Sequence, residues 1–229
     1  SDGAFDITAK PLMDLWGFYR KAERLPSRGE TAAALENVGL DKVEFDDAAR
    51  AVRFKRAGMS FDLGGVAKGC AVDLAAEAVM RDGVTTGVIN LAGNMRCLPT
   101  PPPGRKCFNI GVRHPVRNSE ICGAVGMLGT SISTSGNYER YVVIDGARHT
   151  HIMNVRTGEP VRNMLSVTVV TPSAGQADFL STAIFIKGAE FAEKVCAKLP
   201  GTSALVIDTD AAGNPRVRKF GPAWGEIKL

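Results

Sequence analysis

The 229 residues are 45% hydrophobic and 23% charged, an ordinary globular balance that allows one substantial core. The net charge of +4 comes from 28 basic and 24 acidic residues spread along the chain, which argues against a nucleic-acid footprint and suits a small anionic ligand. Five cysteines without a C-x-x-C pairing argue against zinc or redox work, and no apolar run approaches the roughly 20 residues that span a bilayer, so a soluble chain is expected.

In chain order, Leu12, Leu15, Trp16 and Tyr19 recur at helical spacing, and Ser27-Arg28-Gly29-Glu30 reads as a capping box opening a second helix that stops near Gly39. Val43-Glu44-Phe45 and residues 51–54 alternate around Asp46-Asp47 as a β-hairpin. The turn Asp62-Leu63-Gly64-Gly65 then leads from a strand into a long helix over 66–80, closed by Gly83. Residues 87–91 predict a buried strand, and 99–104 a proline-rich exposed loop. Three further strands follow at 108–112, 124–128 and 138–144, the last closed by the hairpin dipeptide Asp145-Gly146. Residues 165–170 continue the sheet. Thr171-Pro172-Ser173 starts a helix through Lys187, Gly188 breaks it, and another helix runs to about Lys198 before a last hairpin at 204–207 and 216–220. The expected class is α/β (α+β), a mixed β-sheet with packed helices in one compact domain over 1–229.

Paired glycines at Gly64 and Gly65 let backbone N–H groups approach a phosphate, and Lys68 in the first turn of the next helix opposes the helix dipole unless an anion sits there. The plainer alternative is a tight-packing turn with a solvated lysine. Asp178 and Thr182, four apart on a predicted helix, project two oxygens from one face, a sparse set suited to Mg²⁺; an internally bonded Asp–Thr pair is the alternative. His151 stands beside the turn Arg156-Thr157-Gly158 as a candidate base, or as a packed strand histidine sharing a face with His149. Ser133-Thr134-Ser135-Gly136-Asn137 offers hydroxyls near a glycine, or ordinary turn chemistry.

The order and wording of several segments resemble the ApbE family, the FAD:protein FMN transferases. The resemblance runs through Gly3-Ala4-Phe5-Asp6-Ile7-Thr8, Asp62-Leu63-Gly64-Gly65-Val66-Ala67-Lys68-Gly69, Asn90-Leu91-Ala92-Gly93-Asn94 and Thr134-Ser135-Gly136-Asn137-Tyr138-Glu139-Arg140. It continues through His151-Ile152, Thr157-Gly158-Glu159-Pro160, Ser166-Val167-Thr168-Val169, Ala177-Asp178 and Ser181-Thr182-Ala183. It implies an ApbE-like fold whose early front is missing from this chain, and Mg²⁺-dependent transfer of FMN from FAD to a threonine or serine of an acceptor protein, releasing AMP. Hydrolysis of FAD to FMN and AMP, or a silent flavin-binding module, are the alternatives. By resemblance Ala4, Phe5, Asp6, Cys70 and Ile152 contact the flavin dinucleotide, with Gly64, Gly65 and Lys68 near its phosphates. Asp178, Thr182 and the Ala67 carbonyl hold the metal, and His151 is the base. The acceptor class it implies is a redox-pump subunit, and the full-length placement is extracytoplasmic and membrane-anchored. The chain departs from the family pattern at Asn154-Val155, where Asp-Pro is usual, at Ala92 for a glycine and at Cys70 for an aromatic.

Overall fold

The computed structural model describes residues 1–19, 24–117 and 119–229. The chain opens with α1 (Lys10–Leu15), α2 (Arg28–Leu35), β1 (Val43–Asp46), β2 (Ala51–Phe54) and α3 (Ala67–Arg81). It continues through β3 (Val88–Leu91), β4 (Asn94–Cys97), β5 (Phe108–Arg113), β6 (Ile121–Met127), β7 (Ser131–Gly136), β8 (Tyr141–Ile144), β9 (Ala147–Thr150), β10 (Met153–Asn154) and β11 (Glu159–Pro160). It closes with β12 (Met164–Thr171), α4 (Ala174–Lys187), α5 (Ala189–Lys198), β13 (Ser203–Thr209) and β14 (Pro215–Phe220). These group into two compact units, Ser1–Leu63 with Glu139–Arg162, and Gly64–Tyr138 with Asn163–Leu229.

In the first unit, Leu12, Met13, Trp16 and Phe18 pack with Val38, Ile144 and Met153 into one apolar cluster. Helix α1 stops before Tyr19 because Gly17 turns left-handed at φ +81. The capping box is present: Ser27 accepts from the Glu30 N–H while Glu30 accepts from the Ser27 N–H. That helix ends at Leu35, short of Gly39, which leads into a turn of 3₁₀ helix at Leu40–Lys42. Asp145 and Gly146, at φ +51 and +75, close the β8–β9 hairpin as the dipeptide predicts. The segment before Gly64 is not a strand; Asp62 is tied instead to the chain start by its N–H, which donates to the Ile7 carbonyl at 2.7 Å.

The second unit is built on a six-stranded sheet in the order β14-β13-β12-β7-β4-β3, antiparallel at every pairing, so the α+β form of the expectation is the one realised. Helices α3, α4 and α5 lie along it, over β3–β4, β7–β12 and β13–β14 respectively. The β5–β6 ribbon contributes Val125 and Met127 to a cluster with Ile132 and Val170, and Val112 and Cys122 to one with Leu205 and Ile207. Helix α4 is buried on nearly all sides, which explains its apolar residues Leu180, Ala183, Ile184 and Phe185.

Two expectations change. Residues 87–91 do not form a buried strand: β3 is the sheet's edge, and Val88 and Leu91 are exposed at 37% and 44%. Ser133 to Gly136 is a central strand rather than a turn, because Ser131, Ser133 and Ser135 alternate toward α4, where a small hydroxyl fits under a closely packed helix.

Strand β4 was not legible because Ala92-Gly93 hides a hairpin turn. Both residues are left-handed, at φ +49 and +90, between paired Leu91 and Asn94. Alanine is strained there, so Ala92→Asn, which tolerates this region, is expected to stabilise the protein by about 1 kcal/mol in a urea melt. An unchanged or lowered midpoint would contradict the strain.

Candidate metal and phosphate site

Helices α3 and α4 cap each other. The Gly69 N–H in the first turn of α3 donates to Asp178 Oδ2 of α4 at 3.0 Å, satisfying an end that has no side-chain cap of its own. In return, Asp73 of α3 accepts from the N–H groups of Ala174 and Gly175 at the start of α4, each at 2.9 Å, and from the Ser173 hydroxyl at 2.7 Å. Arg96 completes that carboxylate at 2.6 Å. Burial pushes the Asp73 carboxyl upward, but these donors outweigh it and hold the group below its ordinary range. The exchange requires the two helices to touch, and Gly69 makes it possible: a Cβ there would fall 2.7 Å from the Ala174 carbonyl carbon and 2.8 Å from Asp178 Cβ.

Asp178 is 4% exposed. Burial pushes its pKa up, opposed by the Lys68 charge and the Gly69 N–H. Lys68 Nζ lies 3.7 Å from Asp178 Oδ1 and also donates to the Gly64 carbonyl, so the anion its position called for is supplied from within the protein. Thr182 Oγ1 bonds Ser135 Oγ at 3.1 Å, and Ser135 also meets Ser181 Oγ at 2.8 Å. Thr182 is half-buried one turn beyond Asp178, while Ala67 opens α3 in an exposed position. Gly64, Gly65, Ala67, Lys68, Asp178 and Thr182 therefore all belong to the second unit, and Cys70 lies exposed on the same first turn of α3.

These residues fit Mg²⁺. Carboxylate, hydroxyl and carbonyl oxygens are the hard donors it takes, usually few in number because it keeps several waters. Among the described residues no group of three or more His, Cys, Asp or Glu offers a denser alternative. Ser133 Oγ, buried without a hydrogen-bond partner on the strand facing Asp178, is an orphaned polar atom that a hydrated cation would satisfy.

The remaining candidates lie in the first unit. His151 follows the end of β9 and does not continue it. Its N–H and its Nδ1 both meet the Arg140 carbonyl, at 3.1 and 2.9 Å. A carbonyl only accepts, so Nδ1 carries the proton and Nε2 is the basic nitrogen. His149 is spent on packing: its ring lies 5.3 Å from that of Trp16, and burial with the Arg162 charge pushes its pKa down. Asp6 is committed internally, accepting from the Thr8 N–H and hydroxyl and from the Leu40 N–H. Ala4 and Ile152 are buried, and Phe5 is half-buried. Asn154 keeps the turn an aspartate would make, since its Oδ1 accepts from the Arg156 N–H at 3.0 Å.

Gly69 and Asp73 were not singled out from the sequence as site residues, and Ser133 was named only within the hydroxyl run 133–137. Gly69 was visible within the glycine-rich segment, but nothing local marks Asp73, whose partners at the start of α4 lie about a hundred residues away.

A model of the ApbE family matches residues 1–206. The solved ApbE protein of Thermotoga maritima is 36% identical, with a TM-score of 0.82 over 94% of this chain and 70% of that one. The flavinyl transferase ApbE of Pseudomonas stutzeri is 28% identical, with a TM-score of 0.80 over 96% of this chain and 67% of that one. The FAD:protein FMN transferase of Salmonella typhimurium is 29% identical over 93% of this chain, which spans 62% of that protein's length. No helix among the described residues is long and apolar enough to cross a membrane.

Proposed function

The chain belongs to the ApbE family, and from that membership we propose that it is a Mg²⁺-dependent transferase that moves FMN from FAD to a threonine or serine hydroxyl of an acceptor protein and releases AMP. The observation that carries the reading is the buried, incompletely compensated Asp178 carboxylate beside the first turn of α3. Asp178, Thr182 and the Ala67 carbonyl hold the ion, which when bound neutralises charge on the pyrophosphate oxygens. Gly64 and Gly65 admit the phosphates to the backbone, and Lys68 offers them a cation. Phe5, Ala4, Asp6, Cys70 and Ile152 are assigned to flavin dinucleotide contact by resemblance, with Asp6 acting through the loop it ties rather than through a free carboxylate.

His151 takes the proton from the acceptor hydroxyl at Nε2, with Nδ1–H anchored on the Arg140 carbonyl. The hydroxyl oxygen then bonds the FMN-side phosphorus, the bond from that phosphorus to the bridging oxygen breaks, and AMP leaves with that oxygen. The acceptor belongs to the redox-pump class, and the full-length protein works outside the cytoplasm, tethered to the membrane.

Incubation with FAD, Mg²⁺ and a threonine-containing acceptor peptide is expected to give a flavin-labelled peptide and equimolar AMP by mass spectrometry. Free FMN and AMP with an unlabelled peptide would instead establish hydrolysis, and FAD binding without AMP a silent module. His151→Gln is expected to slow labelling by about a hundredfold, the usual scale for a general base. Equal rates for variant and wild type would remove His151 from the mechanism.

A further inference from the structure

We propose that the Lys68 ammonium is a built-in counter-ion holding the cation position beside Asp178, that Mg²⁺ must displace it, and that Lys68 thereby sets the metal affinity of the site. This rests on the assignment of Asp178 as a metal ligand made above.

A carboxylate only 4% exposed needs a cation or strong donors, and Lys68 Nζ, at 3.7 Å, is the cation it has. Lys68 stands where a cation is otherwise disfavoured, in the first turn of α3, against the positive end of the helix dipole. Its side chain folds back across the turn to the Gly64 carbonyl, so both ends of its reach are oxygens that a metal would also attract.

An ammonium and Mg²⁺ cannot share one carboxylate without strong repulsion in a buried setting. Lys68 can yield, because its side chain is 38% exposed and its stem is flexible. Displaced, the ammonium becomes available to a phosphate. The same side chain thus balances Asp178 before the metal arrives and meets the substrate's charge afterwards.

The test is Mg²⁺ alone titrated calorimetrically into wild type, Lys68→Met and Asp178→Asn. Lys68→Met is expected to bind Mg²⁺ at least about tenfold more tightly than wild type, because the internal competitor is gone. Asp178→Asn should show no binding. Equal or weaker binding by Lys68→Met, with Asp178→Asn silent, overturns the counter-ion role and leaves the Asp178 assignment standing. Wild-type affinity in Asp178→Asn overturns that assignment, and this inference with it.

Lys68→Met leaves a buried carboxylate unpaired and is expected to melt lower without Mg²⁺ and to recover with it. Should that variant not fold, wild type decides. Acetylation of Lys68, followed by peptide mass spectrometry, is expected to quicken when Mg²⁺ is added, whereas an unchanged or slower rate overturns the proposal.

Discussion

Gly69→Ala is expected to cost about 3 kcal/mol of stability in a urea melt and to remove measurable Mg²⁺ binding, although the change adds one methyl group and replaces none of the proposed metal ligands. In most helices this substitution helps, since alanine is favoured over glycine by about 1 kcal/mol. Here the new Cβ would lie 2.7 Å from the Ala174 carbonyl carbon and 2.8 Å from Asp178 Cβ, against backbone and a buried side-chain root that have no rotamer to escape into. Relief requires α3 and α4 to separate. Separation lengthens the Gly69 N–H bond to Asp178 and loosens Asp73 from the start of α4, so both caps weaken together. It also moves Lys68 and Ala67 relative to Asp178.

Gly175→Ala is the control on the same interface. Its Cβ would meet Cys70 Sγ at 3.3 Å and Asp73 Oδ2 at 3.6 Å, the first the end of an exposed side chain that can turn away. That variant is expected to stay within about 1 kcal/mol of wild type. A Gly69→Ala protein with an unaltered urea midpoint would mean that the helices do not approach as closely as described.

The contrast between Gly69 and Ser133 shows what local sequence can and cannot carry. Capping boxes, the Asp145-Gly146 turn and the break at Gly188 are decided within a few residues, so the α2 start, the β8–β9 hairpin and the α4–α5 division were legible. The strand β7 was not, because hydroxyl residues normally mark turns and only a tightly packed α4 makes Ser131, Ser133 and Ser135 interior residues. Likewise Asp178 and Thr182 were singled out as candidates from helical spacing, but spacing could not show that the carboxylate crosses to α3. Lys68 was noticed for opposing the helix dipole, and the physical reason for that oddity lies 110 residues further along the chain, in Asp178.

Asp178→Asn is expected to separate stability from function. In the proposed mechanism several kcal/mol of charge stabilisation at the pyrophosphate would come from the metal, so AMP release is expected to fall by about a thousandfold. The fold should not suffer. Asparagine has the same shape and can still accept from the Gly69 N–H, and the Lys68 left behind is 38% exposed and can rehydrate.

The sign of the pH effect follows from the raised folded-state pKa of Asp178, whose largest cause is burial. Between the unfolded value, about 3.9 for aspartate, and the higher folded value, the native state binds more protons than the unfolded state, so stability falls as pH rises through that window. The ionised carboxylate therefore costs the metal-free wild type stability at neutral pH. Asparagine carries no such cost, so the variant should be at least as stable as wild type at pH 7, with the difference shrinking as pH falls through that window toward about 4. Saturating Mg²⁺ should narrow the neutral-pH gap from the other side, by stabilising wild type alone. Parallel urea melts at the two pH values, with and without Mg²⁺, check the whole pattern. A variant markedly less stable than metal-free wild type at pH 7 would show that Asp178 is kept for the interhelical cap rather than for a cation.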